Sequence, residues 1–248
     1  MRATNDGLPS YLPSYLSSYL SSYLRASRAL ATLALIALSL ACKPKGTIDP
    51  SIASIAVEDP EAGGAWAVHE ALEERIRSGT ASEADRVAAL EKIRAAPDDQ
   101  SAAYAYARAS VAGRVAEGRG LRALKVLEEM RTWARRSIER DPEFEDMAAT
   151  RMLGTLLALA GQHLDGGDSE EGLELLEAVV EAHPDKPINR LRLAEAYVAL
   201  GDPEPGFEHL CAALAGRAQL VSEEQRLLDG LISEVGGAEV LACTDGGS

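Results

Sequence analysis

Residues 150–217 read TRMLGTLLALAGQHLDGGDSEEGLELLEAVVEAHPDKPINRLRLAEAYVALGDPEPGFEHLCAALAGR, and the second half of this stretch repeats the first. Gly167, Asp168, Gly172, Leu176 and Val179 are followed, each 34 residues later, by Gly201, Asp202, Gly206, Leu210 and Ala213. Glu170 and Glu174 recur as Glu204 and Glu208, and the core-facing triplet Leu173, Leu176, Val180 returns as Phe207, Leu210, Leu214. The apolar spacing inside each unit is helical. A unit of this size cannot bury its apolar face alone, so neighbours must stack, and a stacked array presents a surface for binding. The first helices align at a different offset, 40 residues: Leu153 with Leu193, Gly154 with Ala194, Leu157 with Tyr197, Gly161 with Gly201. The difference locates a six-residue insertion between Gly161 and Asp168, in a connection between helices.

Outward from this core the helical period continues. Trp66, His69, Leu72 and Ile76 mark one face of a helix ending near Ser78-Gly79. Val87, Leu90 and Ile93 mark the next, over 82–96, with Pro97 beyond it. Asp98 or Asp99 is expected to cap a helix carrying Tyr104, Ala107, Val111 and Val115. A long helix is expected over 117–140, although Gly118 and Gly120 also fit a turn between two helices. Asp141-Pro142 is expected to start the helix over 143–160. Asp168 and Asp202-Pro203 are expected to open the second helices, and Ser222-Glu-Glu-Gln225, read as a capping box, a final helix with Leu227, Leu228, Leu231 and Val235 on its apolar side.

The residues LGTLLALA, GDSEEGLELLEAVVEAHPDK and LRLAEAYVALGDPEPGFEHLCAAL resemble tetratricopeptide repeats. Leu153-Gly154 and Leu193-Ala194 stand where that family has Leu-Gly, Gly172 and Gly206 occupy its small-residue position, and Pro184 its terminal proline. The last unit has Ala218 in place of that proline, and residues 64–149 match only in helix pattern and in Pro97 and Pro142. The resemblance implies an all-α, right-handed array of about four helical hairpins with a C-terminal capping helix, over residues 61–243.

Residues 10–24 are low-complexity sequence, with Tyr11, Tyr15, Tyr19 and Tyr23 at four-residue intervals. Arg25 and Arg28 precede the apolar run 29–41 and Cys42, an order of basic segment, apolar stretch and small-residue boundary that reads as an export signal. A run of thirteen residues is too short to span a bilayer, which needs about 20. LSLAC resembles the lipobox of bacterial lipoproteins, with Ser39 where that family usually has Leu. It implies cleavage after residue 41, acylation of Cys42, a tether over 42–60, and placement in the cell envelope. Lys43, where an Asp would retain the protein at the inner membrane, implies the outer membrane facing the periplasm. Residues 244–248 read as a short tail. An exported lipoprotein with degenerate helical repeats is also similar to the T-component proteins associated with TRAP-type transporters.

The chain carries 25 Lys+Arg against 39 Asp+Glu. Without residues 1–41 these become 22 and 38, a net charge of −16 that repels phosphate backbones and argues against nucleic acid as a partner. Besides Cys42 there are two cysteines, Cys211 and Cys243. An even pair in an exported chain is expected to form a disulfide pinning the C-terminal tail to the last hairpin, the alternative being two buried thiols. Such a bridge contributes about 3–4 kcal/mol on the chain-entropy model.

Catalytic chemistry finds no support in the residue pattern. None of His69, His163, His183 and His209 belongs to a His-x-x-x-His pair, and His69, Glu70 and Glu73 read as a solvated helix face. Gly118 and Gly120 in EGRGLRAL precede no Lys-Ser/Thr, and no Gly-x-Ser-x-Gly is present. The expectation is a non-enzyme with no metal or cofactor. In the repeat family the first helix of each hairpin lines the binding surface. The resemblance therefore implies a groove formed by Ile188, Leu191, Arg192, Glu195 and Val198, by Arg151 and Thr155, and by Tyr104, Tyr106 and Arg108. Arginines among apolar groups suit a protein or peptide segment. The alternative is a transport accessory holding a small or apolar ligand in an enclosed apolar cavity of about 300 Å³ or more.

Overall fold

The computed structural model describes residues 64–117, 119 and 123–243. The low-complexity tract, the export signal, Cys42, the tether, Gly118, Gly120 and the tail over 244–248 lie outside the described residues. Among the described residues there are ten α-helices and no strand. They are α1 (Gly64–Arg77), α2 (Glu83–Ala95), α3 (Ala102–Ala116), α4 (Leu124–Arg140), α5 (Phe144–Ala160), α6 (Ser169–Ala182), α7 (Pro187–Leu200), α8 (Gly206–Ala215), α9 (Ser222–Glu234) and α10 (Ala238–Leu241).

Helix starts follow local chemistry. Ser82 caps α2 through a capping box, its hydroxyl taking the Asp85 N–H while the Asp85 carboxylate takes the Ser82 N–H. Asp168 caps α6 by accepting from Glu170 N at 2.8 Å. Other caps differ from expectation. Ser101 caps α3, while Asp98 and Asp99 accept from Gln100 N and Ser101 N in the preceding turn. An Asp two residues ahead of an N–H closes a local turn as readily as a helix cap, which is why these two were free to do the former. α3 stops at Ala116 and α4 begins at Leu124, so residues 117–140 are not one helix. α8 begins at Gly206, four residues after Asp202. Val221 occupies the cap of α9, and the Glu224 carboxylate accepts from Val221 N at 3.0 Å, one register earlier than the expected box. α5 opens with a left-handed turn: Glu145, Asp146 and Met147 all have positive φ. A Lys186–Asp146 ion pair of 2.7 Å ties this turn to the start of α7.

Consecutive helices pack as hairpins α1/α2, α3/α4, α5/α6 and α7/α8. Their short connections make each pair antiparallel. The first helices also stack on one another in the order α1, α3, α5, α7, α9, whereas each second helix touches the hairpin on its C-terminal side. The result is an inner row of odd-numbered helices and an outer row of even-numbered ones. Three apolar clusters run along the array: α1 to α5 around Leu72, Ile93, Val111, Leu153 and Leu157; α5 to α7 around Leu176, Val180 and Leu193; α7 to α10 around Leu191, Leu210, Leu228 and Leu231. Each fully buried leucine contributes about 1.5–3 kcal/mol relative to exposure, and each cluster draws on more than one hairpin. No hairpin could keep them dry alone.

Glycine sets the closest approach. A Cβ on Gly172 would lie 2.3 Å from Ala158 N and 2.8 Å from Gly154 O, and one on Gly154 would lie 2.9 Å from Gly172 O. α5 and α6 therefore meet backbone to backbone. The six-residue insertion folds as a 3-10 turn, Gly161–His163, and a loop that returns Gly167 onto the carbonyl of Gly161.

Candidate functional site

The inner row carries a continuous band of side chains spaced three and four residues apart on each helix. α1 supplies Trp66, His69 and Glu73; α3 supplies Tyr106, Ser110 and Arg114. Phe144, at the start of α5, completes an aromatic patch with Trp66, His69 and Tyr106. Its ring stands edge-on to Trp66 at 5.5 Å and tilted to Tyr106 at 5.8 Å, and His69 is edge-on to Tyr106 at 5.5 Å. Such edge-to-face pairs are favourable beyond the area they bury. Trp66, Tyr106 and Phe144 are half-buried, so the patch keeps an open side. His69 is buried, with Nε2 hydrogen-bonded to Ser110 Oγ at 3.1 Å. Burial holds its imidazole below the usual histidine range, assisted by the charge of Arg114 and opposed by Glu73 and Glu70. It is therefore a neutral group at pH 7.

Below the patch charged groups take over. Arg114 grips Glu73 with two 2.8 Å bonds, pairs with Glu117 just past the end of its own helix, and reaches Glu223 of α9 at 3.2 Å. Burial alone would raise the Glu73 carboxyl, but the Arg114 hydrogen bond and charge hold it below the usual range. The same pairing raises Arg114 above the usual arginine value in spite of its own burial. The Arg114–Glu223 contact joins residues 109 apart in sequence. α5 and α7 lie between their helices in the row, and interaxial steps of about 8–10 Å each exceed what the two side chains span. The inner row therefore curves, bringing the start of α9 over the C-terminal end of α3.

Next along the row, Arg151 of α5 donates to Asn189 Oδ1 at 2.9 Å and, at 3.5 Å, to the Asp146 carbonyl. Both acceptors are neutral, and no carboxylate lies within ion-pair distance of Arg151 among the described residues. Burial, joined by the charge of Arg192 and opposed by Tyr106 and by the charges of Glu224 and Asp146, pulls the guanidinium below the usual arginine value. Asn189 is itself fully buried and donates to the His183 carbonyl at 3.0 Å. Arg192 pairs with Glu195 at 2.8 Å.

The expected groove residues divide. Tyr106, Arg151, Thr155, Ile188 and Arg192 are half-buried on the inner row, with the Thr155 hydroxyl turned back to the Arg151 carbonyl at 2.9 Å. Tyr104 and Arg108 are not on this face. Tyr104 is buried with its hydroxyl near the Ile93 and Ala96 carbonyls, at 3.1 and 3.2 Å, and its ring on Trp133. Arg108 lies over Trp133 at 4.2 Å and pairs with Glu129 at 2.9 Å. The reason is angular: at about 100° per residue, Tyr104 and Tyr106 point 200° apart, whereas Tyr104 and Arg108 share a side. That side faces α2 and α4. Leu191, Glu195 and Val198 are covered as well, because α9 packs against α7. Glu195 is fully buried; one oxygen accepts from Arg192 and Oε1 has no hydrogen-bond partner. Trp66, His69, Phe144 and Asn189 were missing from the expected set. Trp66 and His69 carry the right spacing, but their stripe reads equally well as core.

The expected disulfide is present, Cys211 of α8 to Cys243, with Cα atoms 5.4 Å apart. Among the described residues no group of three or more His, Cys, Asp and Glu side chains could hold a metal, and no helix is long and apolar enough to cross a membrane. A surface cavity of about 410 Å³ lies between α4 and the insertion loop, lined by Arg131, Thr132, Arg135, Arg136, Glu139 and Asp165. Its walls are charged. Compared with known proteins, the chain matches no family model and no curated protein.

Proposed function

We propose that this protein is a non-catalytic, tetratricopeptide-like scaffold that holds a protein or peptide segment along its inner row. The observation that carries the reading is the pairing of an open aromatic patch (Trp66, Tyr106, Phe144) with a guanidinium, Arg151, whose two hydrogen-bond acceptors are neutral. An apolar or aromatic side chain of the partner would cover the patch, and a partner carboxylate would meet Arg151 with charge-assisted hydrogen bonds. The leader resembling a lipobox supports export and acylation of Cys42, with the array tethered to the envelope membrane, the outer membrane in this reading. More than one acyl chain is needed for stable anchoring. The transport-accessory alternative needs an apolar enclosure, and the charged cavity beside α4 does not supply one.

The test is crosslinking capture from intact envelopes with a photoreactive side chain in place of Thr155. A specific protein should be recovered, and Arg151→Ala should weaken binding of the recovered segment about tenfold, the equivalent of about 1.4 kcal/mol. Trp66→Ala should weaken it further. Capture that is unchanged in both variants would place the partner elsewhere and defeat the proposal.

A further inference from the structure

The C-terminal end of the array is built as a flap with a hinge, a plug and a lock. α9 ends at Glu234, and Gly236 and Gly237 follow with φ of 105° and 96°, a backbone region open to glycine at little cost. Beyond this hinge α10 is four residues long. A helix so short has no independent stability in water. What holds it is Leu241, its one buried residue, seated in the cluster of Leu210, Leu227, Leu228 and Leu231. Val240 beside it is 48% exposed, so the plug is a single side chain. The lock is the disulfide: Cys243, exposed just past α10, is bonded to half-buried Cys211 on α8.

We propose that the Cys211–Cys243 bond is a redox-sensitive latch on this flap, and that its reduction releases residues 236–243 while the array beneath stays folded. The reductant is a dithiol. Its thiolate attacks the Sγ of the exposed Cys243, forming a mixed disulfide and expelling the Cys211 thiolate, which takes up a proton. The second thiol of the reductant then displaces Cys243, so two electrons pass to the protein pair and the reductant leaves as a disulfide. With the lock gone, one leucine must hold a hinged segment, and the apolar end formed by α8 and α9 opens to solvent. This inference is independent of the partner reading, since it concerns the opposite end of the chain from the aromatic patch.

Hydrogen exchange on the full chain carrying Cys42→Ala tests it, comparing the oxidised protein, the protein in dithiothreitol, and Cys243→Ser without reductant. We expect the Val240 amide, hydrogen-bonded to the Gly237 carbonyl, to lose at least tenfold in protection in both open forms, with Cys211 becoming alkylable by iodoacetamide and amides of α8 and α9 unchanged. Leu241→Ala with the bond intact should loosen the same amide without exposing Cys211. Full protection of Val240 in the reduced protein would overturn the proposal, because the plug alone would then suffice. Loss of protection across α8 and α9 together would overturn it equally, because the bond would then be holding the whole end.

Discussion

Replacing Gly172 by Ala puts one methyl group where α5 and α6 touch. Its carbon would sit 2.3 Å from Ala158 N, 2.8 Å from Gly154 O and 2.9 Å from Leu157 C, all of them backbone atoms of α5. No rotamer change can clear backbone, so the helices must separate by about 1 Å and loosen Leu176 and Leu157, both fully buried. Overpacking of this kind costs about 1–3 kcal/mol, and a contact against main chain belongs at the upper end. Ala gains up to about 1 kcal/mol over Gly in helix propensity, which offsets part of the loss. We expect Gly172→Ala to be destabilised by about 2 kcal/mol, a fall in Tm of about 4–8 °C for a domain of this size. Gly206 holds the same repeat position one unit later, but its added carbon would meet Tyr197 Cβ at 3.3 Å and Ala194 O at 3.4 Å. A few tenths of an ångström suffice there, so Gly206→Ala should stay within about 0.5 kcal/mol of the parent. Urea denaturation followed by circular dichroism measures both, with the m-value as a check that the cooperative unit is unchanged. Equal stability of the two variants, in either direction, would refute the claim that approach distance and not the repeat position decides the outcome.

Tyr104→Phe removes a buried hydroxyl that serves the Ile93 and Ala96 carbonyls, and should cost about 1 kcal/mol in the same denaturation assay. Stability should also fall with pH from about 7 downward. Burial depresses His69, and burial with the Arg190 charge depresses His209, so the unfolded chain binds protons more readily than the folded one. Their contribution is full above the unfolded value of about 6.5 and is lost as pH falls below it, by at most about 1.4 kcal/mol per pH unit for each. Tm measured at pH 7.5 and 5.5 should drop in the parent and drop less in His69→Gln; identical pH profiles would remove His69 from the account. Glu73 acts lower on the scale: its carboxyl is held down in the fold, so its contribution is present above about 4.5 and disappears as pH falls through the folded value. Glu73→Gln should therefore flatten the acid limb below pH 4.5 and, by removing the charge that opposes the depression of His69, steepen the histidine limb above it.

What could be read from the chain itself was whatever depends on neighbours in sequence. Helix spans from Leu153 to Leu231 followed from the 3.6-residue period, and the Asp168 cap from the side chain's own reach to a nearby N–H. Gly172 and Gly206 were legible as equivalent positions because the 34-residue period aligns them, though only Gly172 proved to be a close approach, and Cys211 and Cys243 as a pair because no other partner remained in the folded segment. The orientation of each helix was a different matter. First helices of an array are touched from several sides, so polar residues such as Asn189 and Glu195 are fully buried and the usual contrast between an oily and a wet face is lost. Tyr104, Tyr106 and Arg108 could not be assigned to a side until α4 and its Trp133 were in place. The approach of Glu223 to Arg114 depends on how three successive inner helices turn relative to one another, small angles that no local pattern encodes. The sequence determined which segments are helices and that they must stack; the tertiary structure decided which side chains that stacking leaves open to a partner, because accessibility is a property of neighbours distant in the chain.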